Sequence, residues 1–126
     1  MAEIDVAASG PGTARDKVRA MVRAHVLGVL QNLDPVHVYL REEQSLPPSA
    51  LKQVHRQQQA MRDQFQRVIV DGMRQGDFAK SDPTLAVLAL LGMCTWVHRW
   101  YRPRGRLAED AIAEDFALRA LRMLGA

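Results

Sequence analysis

The side chains able to do chemistry in this 126-residue chain are few and poorly grouped. Histidines stand at positions 25, 37, 55 and 98, and their spacing makes no H-x-x-x-H or H-E-x-x-H pair that would turn two imidazoles toward one metal. Cys94 is the single cysteine, which excludes a disulfide framework and any multi-cysteine metal site and suits a reducing compartment. No glycine-rich phosphate loop and no G-x-S-x-G elbow occurs. The acids Glu42 and Glu43, and Asp110, Glu114 and Asp115, read as solvated faces, the last three also suited to the positive end of a helix. Catalysis needs convergent acid, base or nucleophile, and none converge. The chain is read as a non-enzyme, with no cofactor and no metal.

What remains is chemistry of recognition. His25 and Gln58 are each polar on an otherwise apolar stripe, and burying an unpaired polar group costs free energy. Each is either a satisfied core residue, the plainer reading, or a ligand contact. The cluster His98, Arg99, Trp100, Tyr101, Arg102, Arg104 and Arg106 sets guanidinium groups beside aromatics, a combination that holds phosphate or stacks on bases. The plainer reading is that these cations complement a helix C-terminus, ended by Pro103 and Gly105. Arg99, Arg102 and Arg104 are the candidate phosphate contacts.

The elements that must position these groups are helical, because breakers separate amphipathic patterns and no alternating β-branched run occurs. The expected fold class is all-α, with five helices. Residues 1–12 end in Ser-Gly-Pro-Gly and read as a flexible lead-in to one domain spanning 13–126. Thr13 and Asp16 resemble a capping box that opens a first helix to about Asn32, with Val18, Met21, Val22, His25, Val26, Val29 and Leu30 on one stripe. Asp34-Pro35 starts a short second helix carrying Tyr39. A long third helix runs from about Pro48 to Gln75, with Met61, Phe65, Val68 and Ile69 on its buried side and Gly76 as C-cap.

Asp82-Pro83 is a strong start signal for a fourth helix that reaches to Pro103. It is apolar on nearly every side, yet its 13 uncharged residues from Leu85 to Val97 are too few to span a bilayer, which needs about 20. One side should face the core and the other a second subunit. A fifth helix, from about Ala108 to Leu124, is also apolar over more than half its circumference. The pair suggests a four-helix bundle across a twofold axis, with Leu88, Leu91, Gly92, Thr95, Ile112, Phe116, Ala120 and Met123 at the interface and small residues such as Gly92, Ala113, Ala117 and Ala120 permitting close approach. The alternative is a monomeric bundle in which the first three helices cover the excess. The net charge of +3 is spread over interleaved acids and bases, a solvated surface rather than a nucleic-acid footprint. No basic segment followed by an apolar core opens the chain, so a cytoplasmic location without membrane contact is expected.

The order of elements, the break LREEQSLPP (Leu40 to Pro48), the segment VDGMRQGDF (Val70 to Phe78) and above all LALLGMCTWVHRWYRPRGRL (Leu88 to Leu107) followed by an acidic amphipathic helix resemble the C-terminal regulatory domain of TetR/AcrR-type transcriptional regulators. The resemblance covers residues 13–124, and the Trp, Arg-Trp-Tyr-Arg-Pro run is similar to regulators linked to fatty-acid, acyl-CoA or steroid degradation. It implies a domain that forms a homodimer and holds an effector controlling a helix-turn-helix. That helix-turn-helix is expected to lie outside this chain, which should therefore not read an operator by itself. The effector would be a largely apolar small molecule, an acyl-CoA or a steroid-derived metabolite, between the first, third and fourth helices. Met21, Val22, His25, Tyr39, Gln58, Met61, Phe65, Cys94, Val97 and Tyr101 are the candidate pocket residues, and a CoA thioester would engage the arginines through its phosphates. The competing readings are a dimerisation module without ligand and a basic helical protein that binds nucleic acid.

Overall fold

The computed structural model describes residues 2–34 and 41–126. All regular structure among them is helical, and four of the five expected helices are found; the second falls largely outside the described residues, as does Tyr39. The expected lead-in is corrected. Ala2–Ser9 forms a helix, α1, in which Glu3 and Asp5 lie in the first turn, where the helix dipole favours acids. It is held because Ile4 is buried in the common core. Gly12, at φ +114°, then turns the chain into Thr13.

The second helix, α2, spans Ala14–Gln31 and opens with the expected capping box: the Asp16 amide donates to Thr13 Oγ1 at 3.1 Å and the Thr13 amide to Asp16 Oδ2 at 3.2 Å. A short 3-10 turn, Glu43–Ser45, precedes α3, Pro48–Gln75. Only the C-terminal half of α3 is buried, through Phe65, Val68, Ile69 and Gly72. It ends as expected at Gly76, left-handed at φ +86°, and the amides of Asp77 and Phe78 both donate to the carbonyl of Gly72. Phe78 is thereby folded back into the core over Gly72.

Helix α4, Pro83–Thr95, starts on Asp82, whose Oδ1 accepts from the amides of Thr84 and Leu85 at 2.9 and 3.2 Å. The expected single helix to Pro103 is broken at Trp96. A separate short helix, α5, Val97–Trp100, follows. At the junction the Trp96 amide reaches Gly92 while the Arg99 amide bonds Trp96 at a shorter, three-residue spacing. The last helix, α6, is Glu109–Met123. Beyond it the Leu124 carbonyl accepts from the Ala79 amide at 3.0 Å, stitching the chain end to the α3–α4 link.

Helix α2 is the hub, packing against α1, α3, α4, α5 and α6, whereas α4 and α6 scarcely touch. Val18, Met21, Val22 and Val26 of α2 meet Phe65, Ile69, Leu90, Cys94 and Val97, all fully buried. Each such large side chain contributes about 1.5–3 kcal/mol over exposure. Ala113, Ala117 and Ala120 are also fully buried, and small side chains there let α6 lie close to α2. The close approach expected of these alanines is therefore used inside the subunit. No helix among the described residues is long and apolar enough to cross a membrane.

Candidate functional site

A cleft of about 670 Å3 opens between α1, α2 and α3. Glu3 and Ile4 enter it from α1, Gln57 and Met61 from α3, and Ala24, His25, Leu27, Gly28, Val29, Gln31 and Asn32 from the C-terminal part of α2. Ala24 and Gly28, four residues apart, leave the wall low. A Cβ added to Gly28 would meet nothing within 4 Å. The lining is mainly apolar with a few amides and one acid, the mixture that orients a small organic molecule.

His25 is the informative member. Its ring lies edge-on to Phe65, with centroids 6.4 Å apart. Its Nε2 is cut off from solvent and has no hydrogen-bond partner among the described residues, a deficiency that costs on the order of 1–3 kcal/mol. Burial pushes its pKa down from 6.5 to about 4, so the imidazole is neutral at physiological pH.

The candidate pocket residues are divided by the fold. His25 and Met61 face the cleft together. Met21, Val22, Phe65, Cys94 and Val97 are sealed in the core behind it. Burial drives the Cys94 thiol up to about 12, which leaves it an inert apolar group. Gln58 lies on the other side of α3, in an exposed depression with Lys52, His55, Arg56 and Arg62. The Tyr101 hydroxyl donates to Glu109 at 3.5 Å, beside a small hollow of about 170 Å3 that also includes Trp100, Arg102 and Arg106. Arg99 stacks over the Trp96 ring at 5.7 Å, and Arg102 and Arg104 are exposed in the following loop. None of these three arginines lines the cleft.

The candidate interface residues divide in the same way. Leu91, Ile112 and Ala120 belong to the subunit's own core. Leu88 and Met123 are 51% and 44% exposed, Gly92 is exposed, and Thr95 and Phe116 are half-buried. Around them Leu85 and Trp96 are 64% and 59% exposed, so the outer face of α4 is a continuous apolar surface. Phe116 lies against Trp100, ring centroids 6.2 Å apart, which links this face to α6.

Sequence reasoning missed the α1 side of the cleft, because an eight-residue helix with one buried side chain carries almost no periodic signal. It also missed a charged clamp between α2 and α6. Glu114 accepts from Arg19 and Arg23 at 2.7 Å each, and Arg23 also reaches Asp110 at 3.2 Å. The signal was present as two matched i, i+4 pairs, Arg19 with Arg23 and Asp110 with Glu114. The hydrogen bond from Arg19, which outweighs an opposing effect of burial and is joined by that from Arg23, holds the Glu114 carboxyl below its ordinary range.

Several solved structures of the same shape are those of transcriptional regulators. A TetR/AcrR-family regulator from Thermobifida fusca YX-ER1 is 29% identical, with a TM-score of 0.85 over 94% of this chain and 62% of that one. A tetR-family regulatory protein from Rhodococcus RHA1 is 28% identical, with a TM-score of 0.87 over 98% and 65%. AibR in complex with isovaleryl coenzyme A and operator DNA shares the fold at 22% identity, with a TM-score of 0.78 over 92% and 63%. The chain thus spans less than two thirds of the length of each. No curated protein matches it. Residues 11–124 match the model of the tetracyclin repressor-like C-terminal domain, a non-enzymatic regulatory family, and it is to this family that the chain belongs.

Proposed function

We propose that this chain is the effector-sensing and dimerising part of a transcriptional regulator, in which a small, largely apolar molecule in the His25 cleft controls DNA binding by a helix-turn-helix elsewhere in the regulator. The observation that carries the reading is the cleft itself: several hundred cubic ångströms, an apolar wall, and a buried imidazole nitrogen left without a partner. Acyl-CoA and steroid-derived metabolites are the effector classes to test first; AibR, of the same fold, is known in complex with isovaleryl coenzyme A. A CoA thioester would have to hold its phosphates outside the cleft, since Arg99, Arg102 and Arg104 stand away from its wall.

The homodimer in this proposal forms through the outer face of α4, where Leu85, Leu88, Gly92 and Trp96 lie open, with Met123 of α6 at its margin. An apolar surface of this kind on so small a domain is stable when covered. Thermal melts of the purified chain with a panel of acyl-CoAs, free acids and steroids test the sensing role. A saturable rise in melting temperature for one class, lost in a variant whose cleft is filled by Leu27→Trp, is the expected result. Absence of any shift across the panel would leave only the dimerisation role.

A further inference from the structure

The long helix α3 carries bases where a helix least favours them. Its first turn holds no acid and its N-cap, Pro47, makes no side-chain cap, so the positive end of the dipole meets no carboxylate of its own. Lys52 and Arg56 then follow four residues apart, a spacing at which like charges repel. With His55, Gln58, Gln59 and Arg62 they line an open depression of about 580 Å3, and no acid lines it among the described residues. Two neighbouring carboxylates are engaged otherwise: Glu43 lies 3.4 Å from His55, and Asp63 accepts from Gln59 at 2.8 Å. Gln59 in turn accepts from Arg62 Nη2 at 2.7 Å, which holds that guanidinium in place. No carboxylate among the described residues forms an ion pair with Lys52, Arg56 or Arg62, whereas Arg19, Arg23 and Arg119 are taken by Glu114, Asp110 and Asp115. One stretch of one helix thus concentrates positive charge that the fold does not neutralise.

We propose that this depression holds the phosphate groups of the effector, Lys52 and Arg56 clamping one and Arg62 a second, so that the effector is an acyl-CoA thioester rather than a steroid or a free acid. This rests on the reading of the cleft as the place of the apolar part. Gln57 and Met61 enter the cleft from the same turns of α3 whose Arg56, Gln58 and Arg62 border the depression. A ligand with its acyl end in the cleft and its charged end over the depression has to cross a single helix, about 10–12 Å thick with its side chains. The helical rise sets Lys52 and Arg56 about 6 Å apart along the axis and Arg62 about 9 Å beyond. One phosphate therefore bridges the first two, and a ligand with a second, separate phosphate reaches the third; the nucleotide end of CoA, with its diphosphate and its 3′-phosphate, has both. Lysine and arginine on an open surface are the usual partners of such groups. Nucleic acid, the other rich source of phosphates, calls for a longer basic face than this.

Isothermal titration calorimetry on the purified chain, at fixed ionic strength, compares three ligands: octanoyl-CoA; octanoyl-pantetheine, the same thioester without phosphates; and adenosine 3′,5′-bisphosphate, phosphates without the thioester. Two variants accompany the parent. Lys52→Gln combined with Arg56→Gln removes two exposed cations, and Leu27→Trp fills the cleft; circular dichroism checks that both fold. The expected result is that octanoyl-CoA binds at least about tenfold more tightly than octanoyl-pantetheine, that the double variant weakens octanoyl-CoA alone and so brings the two together, and that Leu27→Trp abolishes binding of both thioesters. Equal affinity of the two thioesters in the parent, or an advantage of octanoyl-CoA that survives the double variant, would overturn the inference while Leu27→Trp still marks the cleft as the site. A short DNA duplex of random sequence that displaces octanoyl-CoA from the parent, and binds the double variant far less, would assign the stripe to nucleic acid and overturn it too. Thioester binding that is absent, or untouched by Leu27→Trp, would instead overturn the reading of the cleft. The bisphosphate then decides the depression by itself: lost in the double variant, it keeps the phosphate site; unaffected or never bound, it removes it.

Discussion

Gly72 lies against the ring of Phe78, so close that a methyl group on its Cα would overlap ring carbons Cδ2 and Cε2 and press on Ala14 Cβ. Phe78 cannot retreat, because its amide is bonded to the Gly72 carbonyl at 3.1 Å and its ring is buried. Gly72→Ala should therefore destabilise the fold by about 1–3 kcal/mol, despite the helix propensity gained. Urea unfolding of the variant beside the parent chain measures it, and a stabilised variant would contradict the packing described.

Glu114 should make stability depend on pH in a definite direction. Its carboxyl is held below the ordinary value of 4.5 chiefly by Arg19, so the clamp contributes above that value and is lost as pH falls through the lower folded-state value. Glu114→Gln is expected to melt at lower temperature than the parent at neutral pH, with the gap closing as the pH falls through the acid range below the ordinary carboxyl value. Thermal melts of both proteins across that range decide it; a gap independent of pH would assign the effect to packing.

His25 acts in the same acid range through the unfolded state. The unfolded chain takes a proton near 6.5 while the folded imidazole resists until about 4. Stability is whole above 6.5, falls between the two values and levels off below the lower one, with a total of at most roughly 3 kcal/mol. Replacing the ring by His25→Phe should flatten that part of the stability profile, read by denaturant unfolding at several pH values.

Much of the fold was legible in local chemistry. The Thr13–Asp16 box, the Asp82-Pro83 start and the Gly76 stop each have a steric or hydrogen-bonding cause confined to a few residues, and each stands where it was expected. The break at Trp96 was not legible, since neither proline nor glycine stands at it and it shows only as a three-residue bond from the Arg99 amide to the Trp96 carbonyl. The site was legible only in part. Met61 and Phe65 share a helix and a chemistry, yet one lines the cleft and the other closes the core, a distinction made by where α1 lies and not by residue type. His25 could be singled out because a lone polar group on an apolar stripe demands an explanation.

The outer face of α4 gives a test of assembly. Leu88 is half exposed and makes no part of the core, so Leu88→Glu should leave the helical content intact while turning a dimer into a monomer. Sedimentation equilibrium at micromolar concentration reports the change. A parent chain that is already monomeric would remove the dimer from the proposed function.

The Cys94 thiol is a convenient reporter of opening. Buried, with its ionisation pushed up to about 12, it should not react with a disulfide reagent in the native protein at neutral pH and should react fully in denaturant. The native rate of labelling then measures transient exposure of the α4 core.

Helix α2 presents Ala24, His25 and Leu27 to the cleft and Arg19 and Arg23 to Glu114, all within two to three turns of one rod. Two surfaces on a common rigid axis share its rotation. A tilt of α2 that widened the cleft would have to drag the clamp on α6 with it or bend the helix between them.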